Sequence, residues 1–210
     1  MFKFLTYFTP HMNPNPETFF KILDPEDTST GGGSASALAG SMAGALLAMV
    51  CLLSTKEPDE TGLFFREKAA LSKELSDRLL TGGQEDTRAF QAVRNAYRLP
   101  KESKVERETR QQAIQSAWFE ATRVPLDNAA RCLQIVSLGT ELGSRINPNV
   151  RSDLNCALLL ARAGALGCLE NVAINLPNLK DTALAMQLAQ QAESLRGQLE
   201  LFAVNNQAIL

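Results

Sequence analysis

Between Thr28 and Thr55 the chain carries no acidic or basic side chain, and near its start this run reads Gly31-Gly32-Gly33-Ser34. From Ala35 to Leu53 nearly every residue is Ala, Leu, Met, Val, Ser or Gly. A stretch this long and this small-sided either crosses a bilayer or forms the innermost helix of a bundle. Its length suffices for a membrane span, and Gly40-x-x-x-Gly44 is a spacing that close-packed membrane helices also use. Yet alanine, glycine and serine make up more than half of it, which lowers its hydrophobicity on insertion scales. No aromatic belt and no basic cluster flank it. Small residues on every side are what a central bundle helix needs, because its neighbours must approach closely. The expectation is a buried helix of a soluble protein.

Ser34 reads as the N-cap of that helix, its hydroxyl free to accept a first-turn N–H. Three residues on stands Ala37, where a capping box would place Glu or Gln. Several first-turn N–H groups are therefore left without a side-chain partner, beside a backbone with no Cβ to block approach. Such a start suits an anion or oxyanion. The alternative is a glycine hinge with no binding role.

A length of 210 residues allows one sizeable domain, and a net charge of -2 gives no nucleic-acid footprint. The four cysteines (Cys51, Cys132, Cys156, Cys168) lie far apart, without the close pairs of zinc sites. They read as small hydrophobes in a reducing, cytoplasmic compartment. The single histidine, His11, sits in a Pro/Asn-rich segment. A Ser-His-Asp triad within one chain is thereby disfavoured, and acid–base work falls to Asp, Glu, Lys, Tyr or Cys.

In chain order, residues 1–16 form an apolar arm too short for a secretory leader. Residues 17–210 form a single helical domain. Pro16 opens a short helix to Leu23. After the central helix, Lys56 to Thr61 is a polar break. A helix then runs from about Leu63 to Leu80 and ends at Gly82-Gly83. Another starts at Glu85 and Asp86 and reaches Leu99-Pro100. The charged stretch Glu102–Arg110 opens the next, which Val124-Pro125-Leu126 kinks or restarts. Gly143 to Val150 is a loop. A long helix follows from Ser152 to Asn175, capped by Ser152 or Asp153, and a last one spans about Lys180 to Asn205. No useful β-alternation occurs, so the class is all-α: a multihelical bundle around a buried Ala/Gly-rich central helix.

The combination of Gly31-Gly32-Gly33-Ser34 with an alanine-rich helix resembles the formiminotetrahydrofolate cyclodeaminase and methenyltetrahydrofolate cyclohydrolase family. The likeness continues in order through Asp86 with Ala89-Phe90, Leu99-Pro100 and Val124-Pro125-Leu126. It runs on through Arg151-Ser152-Asp153-Leu154 and Asn171-Val172-Ala173-Ile174-Asn175-Leu176. Thr30 stands where the family usually has proline, and Thr55-Lys56 where it often has Gly-Lys. The resemblance implies an all-helical homodimer that acts on a reduced folate, as cyclohydrolase (a hydrolase) or cyclodeaminase (a lyase), with no metal and no further cofactor. It implies neither a nucleic-acid nor a membrane partner. No formiminotransferase domain is attached, which tilts the expectation towards the cyclohydrolase. The competing reading is a non-catalytic folate-binding or scaffolding protein of the same fold.

Both family reactions pass through a tetrahedral carbon and need a group that gives and takes protons. Asp153, at a helix start that favours its ionised form, is the first candidate, and Asp86 the second. The glycine loop (Gly31, Gly32, Gly33) with Ser34 would cradle the pterin, a developing oxygen charge or the glutamate tail. Lys56 would meet a glutamate carboxylate. Asp153 and Asn171 share a helix face but stand roughly 27 Å apart along its axis. Asn171 and Asn175 are accordingly assigned to buried backbone groups near the glycine loop.

Overall fold

A computed structural model describes residues 21–24, 26, 29–55 and 60–205. The arm at 1–16, most of the helix expected after Pro16, and Lys56 lie outside these residues. Among the described residues there is no strand, and five long α-helices carry the fold. These are α1 (Gly32–Ser54), α2 (Glu60–Tyr97), α3 (Lys104–Leu142), α4 (Arg151–Asn175) and α5 (Thr182–Asn205). The class is all-α.

Helix α1 is the inner element, packed against α2, α3 and α4. A Cβ on Gly44 would stand 2.9 Å from the Ser72 carbonyl and 3.0 Å from the Ser76 nitrogen, so α2 crosses at backbone contact. Gly164 of α4 brings its backbone against the opposite flank, where a Cβ would lie 2.8 Å from the Ser36 carbonyl. Ala37, Ala43, Leu47, Val50 and Cys51 are fully buried. Both α1 and the stretch Pro148–Asn178 are long and apolar enough to cross a membrane, and half of the α1 window is buried inside the bundle.

Four local expectations are corrected. The N-cap of α1 is Gly31, not Ser34, and it offers no side-chain bond. The helix starts earlier because the Ser34 hydroxyl turns sideways to α2 rather than back to its own first turn. Gly82-Gly83 does not end a helix; α2 runs through it. There the missing side chains make room, for Gly82 faces Asn128 of α3 and Gly83 would meet the Ser34 carbonyl at 3.3 Å. A mid-helix glycine costs about 1 kcal/mol against alanine, a loss that two close helix contacts offset.

Pro125 neither ends nor restarts a helix, since α3 is continuous from its Ser103–Glu106 capping box to Gly143 at φ 52. Proline cannot donate to the Ala121 carbonyl one turn back. That carbonyl instead accepts the Asn175 side-chain amide of α4 at 2.7 Å. Finally, α4 is capped by Val150 and not by Ser152 or Asp153, because the 3-10 turn Pro148–Val150 leads straight into it.

Candidate active site at the glycine end of the central helix

Because Gly31 caps α1 without a side chain, the first N–H groups of this helix are open to a ligand or to a neighbouring element. Gly31 and Gly32 are exposed. Over Gly33 lies the carboxylate of Asp86, from the middle of α2; a Cβ on Gly33 would come within 2.5 Å of both its oxygens. Only glycine admits that approach. Asp86 accepts the Ser34 backbone N–H and, at 3.1 Å, the Ser34 hydroxyl.

Two effects oppose each other at this carboxylate. Burial disfavours the anion and is the larger; the two bonds from Ser34 favour it. The net result is a pKa raised above the usual aspartate value. A carboxylate with a raised pKa is a stronger base than an ordinary surface aspartate.

Ser34 is buried and its Oγ has three neighbours: the Gly83 carbonyl at 3.0 Å, Asp86 Oδ2 at 3.1 Å and Thr87 Oγ1 at 3.0 Å. Thr87 Oγ1 lies 3.5 Å from Thr30 Oγ1. These hydroxyls border a cavity of about 310 Å³ between α1 and α2, lined also by Gln84, Arg88 and Gln91, with Lys21 beside them. Gln91 is held by a bond to the Ser29 hydroxyl at 3.2 Å. Asp86 does not line the cavity; it reaches it through Ser34. On the other flank of the glycine end stands Asn171, whose amide donates to its own helix at Gly167 (2.8 Å) and would lie 3.4 Å from a Cβ on Gly32.

The structure thus brings together Gly31, Gly32, Gly33, Ser34 and Asp86. It does not bring Asp153 to them. Asp153 sits in the first turn of α4, an unbroken helix that runs antiparallel to α1, roughly 27 Å from Asn171. Its end of the molecule is the junction where Asn147 binds Ser54 and Leu53, and where Arg151 donates to the Gly143 carbonyl. Lys56 is outside the described residues. Asn175 serves a buried carbonyl as expected. Thr87 carries no mark in the sequence reading, and Thr30 enters it only as the residue standing where the family usually has proline. The available signal was that Thr87 falls one helical turn after Gly83 and next to Asp86, but this matters only once α2 is known to be continuous.

Among the described residues no three His, Cys, Asp or Glu side chains converge as metal ligands. Burial pushes the Cys51 and Cys132 thiols up to about 12, and raises Cys168 as well, with smaller contributions from Cys132 and Asp86.

Comparison with known proteins follows the same residues. Positions 15–194 match the family model described as formiminotransferase-cyclodeaminase. The chain is 36% identical over 185 residues to a methenyltetrahydrofolate cyclohydrolase of Methylorubrum extorquens, covering 87% of this chain and 89% of that one. It is 28% identical over 202 residues to the formimidoyltransferase-cyclodeaminase of Sus scrofa, covering 92% of this chain but 37% of that protein. A crystal structure of a formiminotetrahydrofolate cyclodeaminase from Thermotoga maritima has the same fold, with a TM-score of 0.81 at 24% identity, covering 96% of this chain and 98% of that one.

Proposed function

The chain belongs to the formiminotransferase-cyclodeaminase family, and from that premise we propose that it is a methenyltetrahydrofolate cyclohydrolase, a one-carbon folate enzyme. The observation that carries the reading is Asp86, a half-buried carboxyl packed over Gly33 at the uncapped start of α1, with its pKa raised. A scaffolding protein has no use for a carboxyl kept in so costly a setting, so the non-catalytic alternative is not favoured. The 36% identity to a cyclohydrolase, against 28% to the cyclodeaminase of Sus scrofa, supports hydrolysis over ammonia release.

In this reading the one-carbon bridge carbon, an electrophilic amidinium, faces a water. The water oxygen bonds to that carbon, the carbon–nitrogen π pair moves onto nitrogen, and one water proton is drawn towards Asp86. Collapse of the tetrahedral carbon then breaks one carbon–nitrogen bond. The hydroxyl proton is lost as the formyl carbonyl forms, and the departing nitrogen takes up a proton. One proton is released overall, matching the loss of the substrate's positive charge. The open N–H groups of α1 face the oxygen on which negative charge develops. Arg88 and Lys21 give the cavity a cationic side for the substrate's glutamate carboxylates. The folate is the substrate, and no resident cofactor takes part. Absorbance assays with methenyltetrahydrofolate and, separately, formiminotetrahydrofolate test the assignment. Turnover of the second alone would move it to cyclodeaminase.

We further propose a cytoplasmic homodimer. Along α1 one face is left uncovered: Met42, Met49, Leu52 and Leu53 are exposed, continuing a line from Leu38. A second copy of the same face would cover it, as two-fold dimers do. If the two α1 helices run antiparallel, the end carrying Asp153 in one copy returns beside the glycine end of the other. Asp153 then contributes to a site shared between copies. The free, buried thiols fit a reducing compartment.

A further inference from the structure

The proposed hydrolysis leaves one step without a path. Asp86 holds the proton-accepting carboxyl, but it lies over Gly33 on the inner side of α1 and does not line the cavity. Ser34 stands between them. Its single hydroxyl hydrogen points to Asp86 Oδ2 when that group is ionised, since the Gly83 carbonyl already has its helical partner. The Ser34 oxygen is then an acceptor, and the donor within reach is Thr87 Oγ1 at 3.0 Å. Thr87 lines the cavity. Its own hydrogen has three outlets, Ser34 at 3.0 Å, the Gly83 carbonyl at 3.4 Å and Thr30 Oγ1 at 3.5 Å, and the shortest leads to Asp86.

We propose that Thr87 is a relay residue for this enzyme, linking the cavity to Asp86 through the hydroxyl of Ser34. The inference rests on the cyclohydrolase reading above. As the water oxygen bonds to the bridge carbon, its proton passes to Thr87 Oγ1. Thr87 gives its own hydrogen to Ser34 Oγ, and Ser34 gives its hydrogen to Asp86 Oδ2. Three oxygen–hydrogen bonds break and three form; the water is left as a hydroxyl on carbon, and the carboxylate as a carboxylic acid. In the reverse direction the same chain returns the proton to the departing nitrogen. Thr30, 3.5 Å from Thr87 on the cavity side, extends the row of hydroxyls without being needed for the transfer. Thr87 takes the proton from the attacking water directly and is in this proposal a catalytic residue, with Ser34 and Asp86 behind it.

The test is a set of Thr87 variants in the full chain, assayed with methenyltetrahydrofolate and checked by thermal melting. Thr87→Val keeps shape and removes the hydroxyl; Thr87→Ser keeps the hydroxyl and loses the methyl. Relay predicts that Thr87→Val lowers kcat about tenfold or more, at the low edge of acid–base effects, with KM within about threefold. It predicts that Thr87→Ser stays near wild type. In an Asp86→Asn background the Val substitution should cost nothing further, because the acceptor is already gone. Should Thr87→Val fold poorly, Thr87→Ala against Thr87→Ser makes the same comparison. A kcat within about twofold of wild type for the folded Val or Ala variant overturns the relay. So does an equal loss in the Asp86→Asn background, which would mark a packing effect. Failure of the underlying reading looks different: wild-type protein that turns over neither folate overturns both.

Discussion

At Asp86 the geometry and the electrostatics point the same way, and the consequences separate cleanly. Asp86→Asn keeps the shape and one acceptor oxygen for Ser34 and removes the basic carboxylate. Turnover should fall at least about a hundredfold. Stability should move oppositely. The folded chain holds the Asp86 proton more tightly than the unfolded chain, so Asp86 favours folding below the ordinary carboxylate range near 4. That contribution is lost as pH climbs through the raised folded value. The variant escapes the loss, so its melting temperature should equal the wild type's at acid pH and exceed it near neutrality. A melting temperature that falls at neutral pH would show that the charge stabilises the fold. The sequence alone pointed to Asp86 and to the glycines. It ranked Asp153 higher, because a helix-start aspartate is visible in one dimension, whereas burial of a mid-helix carboxylate against a neighbouring glycine is not.

Among the elements, the two misread breaks share a physical cause. Glycine and proline are breakers when a helix stands alone, and both lose that force when a neighbour repays them. Gly82 and Gly83 let α2 touch α3 and α1. Pro125 is tolerated because Asn175 of α4 donates to the orphaned Ala121 carbonyl. Neither compensation is local, so neither was legible before the fold. Replacing Asn175 by Leu should destabilise by about 1–3 kcal/mol, the cost of a buried unpaired acceptor, read as a lower denaturation midpoint with an unchanged slope. The same change in a Pro125→Ala background should cost less, since the helix then supplies its own N–H. The central helix was read correctly as buried, and Gly44→Leu should be severe. It would meet the Ser72 backbone at 2.9 Å, with overpacking costs typically about 1–3 kcal/mol and more where backbone cannot yield. A melting temperature equal to wild type would mean that α1 and α2 do not pack this closely.

For the whole molecule, the exposed line on α1 and the separation of Asp86 from Asp153 make one prediction. If the site is shared between two copies, Asp86→Asn and Asp153→Asn should each be nearly inactive alone. Unfolded together and refolded in equal amounts, they should recover about a quarter of wild-type activity, because half of a random mixture is hybrid and each hybrid keeps one intact site. No recovery, with hybrids demonstrated by mass, would confine the chemistry to a single chain. The wrapping of α1 has a further outcome, in the order of synthesis. This most apolar helix leaves the ribosome before the helices that pack around it, and α4, which supplies Gly164 against it, follows α2 and α3. Until α4 emerges the nascent chain therefore displays an apolar rod without its full cover, for several seconds at ordinary elongation rates of about 5–20 residues per second. A product truncated before α4 keeps that flank of α1 exposed and is therefore expected to aggregate more readily than the complete bundle.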